Sequence, residues 1–488
     1  MKFFSATVLS ALFFAGLSHA TDLITPEKAT DDIKARELQN VLWNLQKIAR
    51  DNGGNRAHGT SGYKASVDFV VERVVKRFGA RLDTYVQEFN YTYTGIRNFE
   101  LTGPDGDKVD FYNHQQILST PLPGGLTAPL LHMPVNGTRG TMCLPEHWDG
   151  IDVAGKILLF QYAVCNATYT HIRLAKQNGA SAVVFYNNVP TTPRAQNPRG
   201  LDLALPSGVV PQAVGEDWIA RLAAGEDLDV TLIIDAFSEQ RKSWNVISET
   251  KLGNPDNVVM MGAHLDSVQA GPGINDDGSG SAALLEIATS FQKYTGFKNK
   301  VRFAWWGTEE LGKIGSLYYV AQLSEAERDK IKFYFNYDMI ASLYPDLVVY
   351  ADNEAHQYGA RHLLEYLESA GAAVRPAKFG TGSDYVSFLQ VGIPSSGLFT
   401  GSQAQFDPCY HQRCDTLDNI NWDVYEKTAR SAAYAAAKLA LNMEGVPPRN
   451  TSSLNLRSVR GIQESFHDWA SGIEVVETHS GCGGGHAE

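Results

Sequence analysis

No block of lysine or arginine stands out anywhere in this 488-residue chain, whose formal charge is -12 and whose pI is near 5.6. Nucleic acid is therefore not expected as a partner, because phosphate binding rests on clustered cations. After the first twenty residues no apolar run approaches the length needed to span a bilayer, so no membrane span is expected. Cysteine is scarce, five in all, and the odd number leaves one thiol outside any set of bridges. What remains is 43% hydrophobic and 20% charged, the composition of an ordinary globular protein. Its length is too great for one compact core, so two domains plus tails are expected.

The amino terminus has its own logic. Lys2 precedes an apolar stretch from Phe3 to Leu17, and Ser18-His19-Ala20 offers a small-residue cleavage site. Residues 1–20 read as a secretory signal, too short for a comfortable membrane anchor. Four sequons, at Asn90, Asn136, Asn166 and Asn450, fit passage through a glycosylating pathway, and two or more of them are expected to be occupied. An oxidising compartment also permits bridges: Cys409 and Cys414 bracket a short loop, Cys143 and Cys165 form the other plausible pair, and Cys482 is left over. The expected protein is secreted, with the lumen of a vacuole or another secretory compartment as the alternative location.

Along the chain, the pattern from Ile33 through Ala49 predicts an amphipathic helix and that from Tyr63 to Phe78 a second, stopped at Gly79. The turn-rich loop between them holds His58, read as a surface or hydrogen-bonding residue rather than a ligand. Pro121 to Gly125 is a proline and glycine cluster of the kind found at domain boundaries, and an insertion is placed at residues 121–236. Within it, residues 155–160 and 179–186 read as strands with a helix from Tyr169 to Gln177, and no acid, base and nucleophile converge there. Residues 21–120 and 237–448 then make up the rest of the main domain. Strands are expected at Val258 to Ala263, Val301 to Trp306, Phe333 to Tyr337, Leu347 to Tyr350 and Gly397 to Phe399, with helices between them. This alternation predicts an α/β fold, a mixed, largely parallel sheet with helices on both faces. Residues 449–488 read as a disordered tail, with a metal-binding or inhibitory segment at His479, Cys482 and His486 as the alternative.

Chemistry gathers at the expected carboxyl ends of these strands, where open α/β sheets collect ligands. His264 and Asp276 follow the first, Glu309 and Glu310 the second, Asp338 the third, and His411 lies in the loop bracketed by Cys409 and Cys414. No lysine or arginine lies beside them in sequence as an obvious counter-ion, and buried carboxylates without one call for a cation. Zinc suits imidazole mixed with carboxylate better than magnesium or calcium. Five candidate ligands exceed what one open catalytic zinc uses, so two zinc ions sharing a carboxylate are expected, with a water between them. Glu309 and Glu310 cannot both point the same way: one is expected to ligate and the other to hold a proton. Asp277 reads as a turn or cap residue, Asp384 as structural, and Trp305 and Trp306 divide evenly between strand core and pocket wall. Cys409 and Cys414 read as a bridge that stiffens the His411 loop rather than as zinc thiolates.

Five ordered motifs carry a resemblance: HLDSVQAGPGINDDGSGS, RFAWWGTEELGKIGS, NYDMI, GSDYVSFLQVGIPSSGLFTG and CYHQRCDTLDNI. In this order they resemble the co-catalytic di-zinc aminopeptidases of the aminopeptidase Y and secreted leucine aminopeptidase type. The insertion, with DVAGKILLF, Cys165 and AKQNGASAVVFYNN, resembles the protease-associated domain that these enzymes carry. The resemblance spans about Ile33 to Met443. It implies that His264 and Asp338 hold one zinc, that Glu310 and His411 hold the other, and that Asp276 bridges them. Glu309 would be the general base, Tyr410 a donor to the oxyanion, and Asp266 would accept a hydrogen bond from the far imidazole nitrogen of His264. It implies peptides with a free amino terminus as substrates, large apolar first residues such as leucine being preferred, and a monomeric enzyme is expected. One departure stands out: many relatives have an arginine before the Ser-Asp-Tyr that matches Ser383-Asp384-Tyr385, and here that position is Gly382. This keeps a carboxypeptidase or dipeptidase of the same superfamily as the rival reading, with an inactive binding ectodomain behind it.

Overall fold

The computed structural model describes residues 22–76, 81–112, 122–135, 140–162, 164–165, 169–190 and 205–451. The expected signal, Gly79, Pro121, Asn136, Asn166 and the tail with its His479, Cys482 and His486 lie outside the described residues. The strands that matter are β1 (Leu82–Thr102), β2 (Leu122–His132), β3 (Ile157–Gln161), β4 (Ala182–Tyr186), β5 (Ser207–Val210), β6 (Asp229–Thr250), β7 (Asn254–His264), β8 (Asn299–Trp306), β9 (Ile331–Tyr337), β10 (Val348–Tyr350), β11 (Arg375–Ala377) and β12 (Ser395–Phe399). The helices that matter are α1 (Ala35–Asp51), α2 (Ser61–Lys76), α3 (Tyr169–Gln177), α4 (Gly278–Phe291), α5 (Ile314–Gln322), α6 (Glu354–Ser369) and α7 (Trp422–Leu441).

The fold is the expected mixed α/β arrangement, with strand order β11-β10-β12-β9-β7-β8-β6 through the main domain. Strands β12, β9, β7 and β8 are mutually parallel along this path, so their carboxyl ends share one rim. Register sets the height of each group there: His264 pairs with Trp306, and Gly262 with Asn336, which brings Asp338 level with His264.

Side chains on these strands alternate between two cores. Met261, Phe303, Trp305, Phe333 and Phe335 join the cluster under α1, α2, α4 and α7, while Met260, Ala304, Trp306 and Tyr334 join the cluster on the opposite face with Tyr319 and Phe388. Strand period two thus supplies both faces of a sheet covered on each side, as continuous apolar runs predict. Trp305 and Trp306 are both fully buried, so both are core rather than pocket wall. Helix α4 is buried along its whole length, as the innermost helix must be.

The sequence pattern gave no sign of β1 and β6. They form one antiparallel ladder from Leu82 opposite Thr250 to Thr102 opposite Thr231, with a register shift between Ile96 and Asn98. A strand of 21 residues reaches about 70 Å. One end of the ladder borders β8, and the other borders β2 and, through it, the parallel strands β3, β4 and β5. The described part of the proline and glycine cluster is not a linker. It forms the start of β2, where a register shift between Leu122 and Leu126 absorbs the backbone that proline and glycine cannot place in a regular ladder.

His58 is buried rather than at the surface, hydrogen-bonded through Nδ1 to Tyr91 Oη at 2.7 Å. Burial, with Arg241 nearby, lowers its pKa to about 4. Because the folded value lies below the unfolded one, His58 leaves stability intact above pH 6.5 and erodes it as pH falls toward 4. The loss approaches about 3 kcal/mol. Urea titrations at pH 7 and pH 4 should show that His58→Gln removes a loss of this order from the total acid destabilisation; equal losses in both proteins would refute it.

Candidate active site

The site is assembled from loops that leave this rim. Helix α4 begins where Asp277 caps it, its Oδ1 accepting the N–H of Gly280 at 2.9 Å and of Met339 at 3.2 Å. Its Oδ2 accepts the N–H of His264 at 3.0 Å. Asp277 also clusters with His264 and Asp338, but these backbone donors occupy both its oxygens, which leaves it the capping role. The Asp276–Asp277 peptide is cis. Asp276 is then held by Asp415, whose carboxylate accepts the N–H groups of Asn275 and Asp276 at 2.9 and 3.0 Å.

Asp276 stands at the centre. Its Oδ1 lies 3.1 Å from His264 Nε2 and its Oδ2 lies 3.0 Å from His411 Nε2, so one carboxylate addresses two imidazoles from its two sides. Asp338 Oδ1 is 3.6 Å from His264 Nε2, and Glu310 Oε2 is 3.1 Å from His411 Nε2. Glu309 turns the other way, with Oε2 4.0 Å from His264 Nε2. Two half-sites sharing one acid result, and all six predicted residues meet. Tyr410 stacks its ring on His411 at 3.8 Å between centroids.

Two loops can meet here because of a glycine. A Cβ at Gly271 would lie 2.1 Å from the Gln412 carbonyl oxygen, so the segment after His264 touches the His411 loop only without a side chain. That loop is closed by a Cys409–Cys414 disulfide, and Cys143 is bonded to Cys165, as expected.

Asp266 departs from expectation. The far nitrogen of His264 meets the main-chain carbonyl of Asp266 at 3.0 Å, whereas the carboxylate is 3.8 Å away. That carboxylate accepts the backbone N–H groups of Glu309 and Glu310 at 3.1 and 3.4 Å. Backbone donors exposed by the turn after β8 claim it first, so Asp266 sets where the two glutamates start rather than the imidazole's tautomer. Asp384 is structural, accepting from Ser316 Oγ at 2.5 Å.

Burial shapes the electrostatics. It raises Glu309 well above the ordinary carboxyl range, and it raises Asp266 and Asp384 to about 7. Asp415 rises to about 8, through burial and its neighbour Asp407. At Asp276 burial is outweighed by hydrogen bonds from His264 and His411, and its pKa falls below the usual range. Burial would lower both imidazoles, but carboxylates, chiefly Asp338 for His264 and Glu310 for His411, push them well up instead.

Two cations are nonetheless buried at the site. Lys313 Nζ lies 3.7 Å from Glu309 Oε1, brought there by the turn into α5. Arg56 is fully buried and donates to the carbonyls of Leu265, Pro272 and Gly273, so its guanidinium clamps the segment between His264 and Asp276. Asp415, Asn275 and Arg56 were missed as site residues. Lone polar residues in loops carry no periodic signal, though Arg56 lies in a turn-rich stretch.

Would metal ions fit? Three buried carboxylates, Asp276, Glu309 and Asp338, and the half-buried Glu310 face two imidazoles, an excess of negative charge even if both imidazoles were protonated. Glu309 Oε1 and Asp338 Oδ1 are buried without a hydrogen bond. Such a rim calls for cations, and mixed nitrogen and carboxylate donors suit zinc. On a mixed α/β sheet, it defines a metal-dependent hydrolase.

Comparison with known proteins narrows the class. Residues 245–436 match peptidase family M28, and residues 126–218 match the PA domain. The chain is 32% identical over 459 residues to aminopeptidase Y of Saccharomyces cerevisiae, covering 88% of this chain and 82% of the yeast protein. It is 31% identical to leucine aminopeptidase 2 of Trichophyton tonsurans, covering 88% of each. Among solved structures it resembles an aminopeptidase from Aneurinibacillus sp. strain AM-1, with TM-score 0.71, 25% identity and coverage of 87% of this chain and 100% of that one. It also resembles a zinc aminopeptidase from Bacillus subtilis, with TM-score 0.62, 26% identity and coverage of 83% and 95%. The chain belongs to peptidase family M28 and is an aminopeptidase of that family, with a PA domain. Among the described residues no helix is long and apolar enough to cross a membrane.

Replacing Asp266 with alanine should loosen both glutamates at once. Metal affinity or activity should fall by about 10- to 100-fold, with zinc titration and steady-state rates as the measurements; native values for both would remove the role assigned to its carboxylate.

Proposed function

We propose that the protein is a secreted aminopeptidase that uses two zinc ions to remove large apolar residues such as leucine from the amino termini of peptides. The single observation carrying this reading is the Asp276 carboxylate, which presents one oxygen to His264 and the other to His411. Around it, His264 with Asp338 would hold one ion and His411 with Glu310 the other. When bound, the ions supply Lewis acidity at the scissile carbonyl.

The chain's own side chains do the rest. Glu309 takes a proton from the attacking water on Oε2 and passes it to the leaving amine, and burial, which raises its carboxyl well above the ordinary range, favours its holding that proton between the two steps. Asp266 fixes the backbone from which Glu309 and Glu310 project. Tyr410, stacked beside His411, would donate to the developing oxyanion. The leucine preference is supported by relatives named leucine aminopeptidase.

The organisation follows the sequence reading: a signal at residues 1–20, peptidase segments at 21–120 and 237–448, the protease-associated insertion at 121–236, and a tail at 449–488. Asn90 and Asn450 are exposed and open to glycosylation, and Asn136 and Asn166 are proposed as acceptors from their sequons alone. Secretion, or delivery to a vacuolar lumen, agrees with the signal, the sequons and the two disulfides. The enzyme works as a monomer, with peptides as its only partners.

Glu309→Gln should lower kcat by about 100- to 10,000-fold while zinc content stays at the wild-type level; an active variant, or one that loses zinc, would displace Glu309 from the base role. Leucine p-nitroanilide should be hydrolysed and its N-acetylated form refused, with activity abolished by chelation and regained at two zinc ions per chain. Cleavage confined to N-blocked peptides would move the protein to the carboxypeptidase reading.

A further inference from the structure

Among the described residues Lys313 is the only buried lysine, its side chain 5% exposed. It stands at the N-cap of α5 with φ of 63°, a left-handed backbone that glycine adopts without strain and lysine does not. The turn is fixed: the N–H groups of Gly312 and Lys313 both donate to the Glu309 carbonyl, at 2.7 and 2.8 Å, and Gly315 donates to Gly307. Ser316 ties it to Asp384, on the loop where Gly382 projects no side chain.

So placed, the ammonium is short of acceptors. Its nearest acid, Glu309 Oε1, is 3.7 Å away, beyond hydrogen-bond length, and among the described residues no hydrogen bond to it is found. A buried ammonium with unused donors is costly unless something fills them. Its one acidic neighbour among the described residues is Glu309, so an anionic group that reaches this nitrogen would lie beside the base.

We propose that Lys313 binds the terminal carboxylate of dipeptide substrates, and so biases the enzyme toward peptides whose second residue is also the last. This rests on the aminopeptidase reading above, in which Glu309 hands a proton to the leaving amine. In a dipeptide the free carboxylate is attached to the carbon that bears that nitrogen, within reach of a cation beside Glu309. In a longer peptide the same place holds a neutral carbonyl, a weaker partner for an ammonium.

The test compares Leu-Leu, Leu-Leu amide and leucine p-nitroanilide on zinc-loaded wild-type enzyme, Lys313→Met and Lys313→Arg, with folding followed by circular dichroism. The wild type should show a KM for Leu-Leu about tenfold below that for the amide. Lys313→Met should erase that ratio, mainly through KM for Leu-Leu, and Lys313→Arg should keep most of it. A parallel fall in kcat on all three substrates would make Lys313 only a counter-ion to Glu309 and overturn the proposal. So would a wild-type enzyme that treats Leu-Leu and its amide alike while hydrolysing leucine p-nitroanilide, and this comparison decides the matter even if Lys313→Met does not fold. If the wild type cleaves none of the three, the aminopeptidase reading fails instead.

Discussion

Everything at the rim depends on one carboxylate shared between two imidazoles. Asp276 sits 3.1 Å from His264 and 3.0 Å from His411, within a site too buried for water to screen its charge. Buried acids repel one another strongly, so the cluster persists only when each negative oxygen is matched by a cation or a donor. Asp276 is matched on both sides, and its lowered pKa records this. Neighbouring acids whose donors are backbone N–H groups or a hydroxyl rather than imidazoles are still pushed upward by burial, as at Asp266, Asp384 and Asp415.

The surrounding residues hold that carboxylate in place through the backbone. Asp415 binds the N–H of Asp276, Asp277 binds the N–H of His264, and Asp266 binds those of Glu309 and Glu310. Three aspartates thus aim the residues that face the centre without facing it themselves. Arg56 performs the complementary task on carbonyls, gathering three from the segment between His264 and Asp276. A site organised by backbone bonds is stiff, because each such bond fixes the start of a side chain rather than its end.

The ladder of β1 and β6 is what joins the peptidase sheet to the inserted unit. One end borders β8, whose carboxyl end leads to Glu309, and the other carries β2 to β5. His58 sits against this ladder at Tyr91, while the neighbouring Arg56 reaches into the site. Packing around the ladder is therefore continuous with the loops that carry the chemistry.

The core strands were legible because a sheet covered on both faces needs unbroken apolar runs, and Val258 to Ala263, Val301 to Trp306 and Phe333 to Tyr337 are such runs. His264, Asp276, Glu309, Glu310, Asp338 and His411 were legible because chemistry collects where parallel strands end. By itself the sequence determined the α/β class, the catalytic half and the residues at its rim. Only the tertiary structure decided that β1 and β6 are single long strands, since their half-exposed residues show no clean period. It alone turned the Asp266 carboxylate toward the glutamates, buried His58 and brought Arg56 and Lys313 to the acids. Those outcomes depend on contacts between segments far apart in the chain or on the path of a tight turn, and neither leaves a local pattern to read.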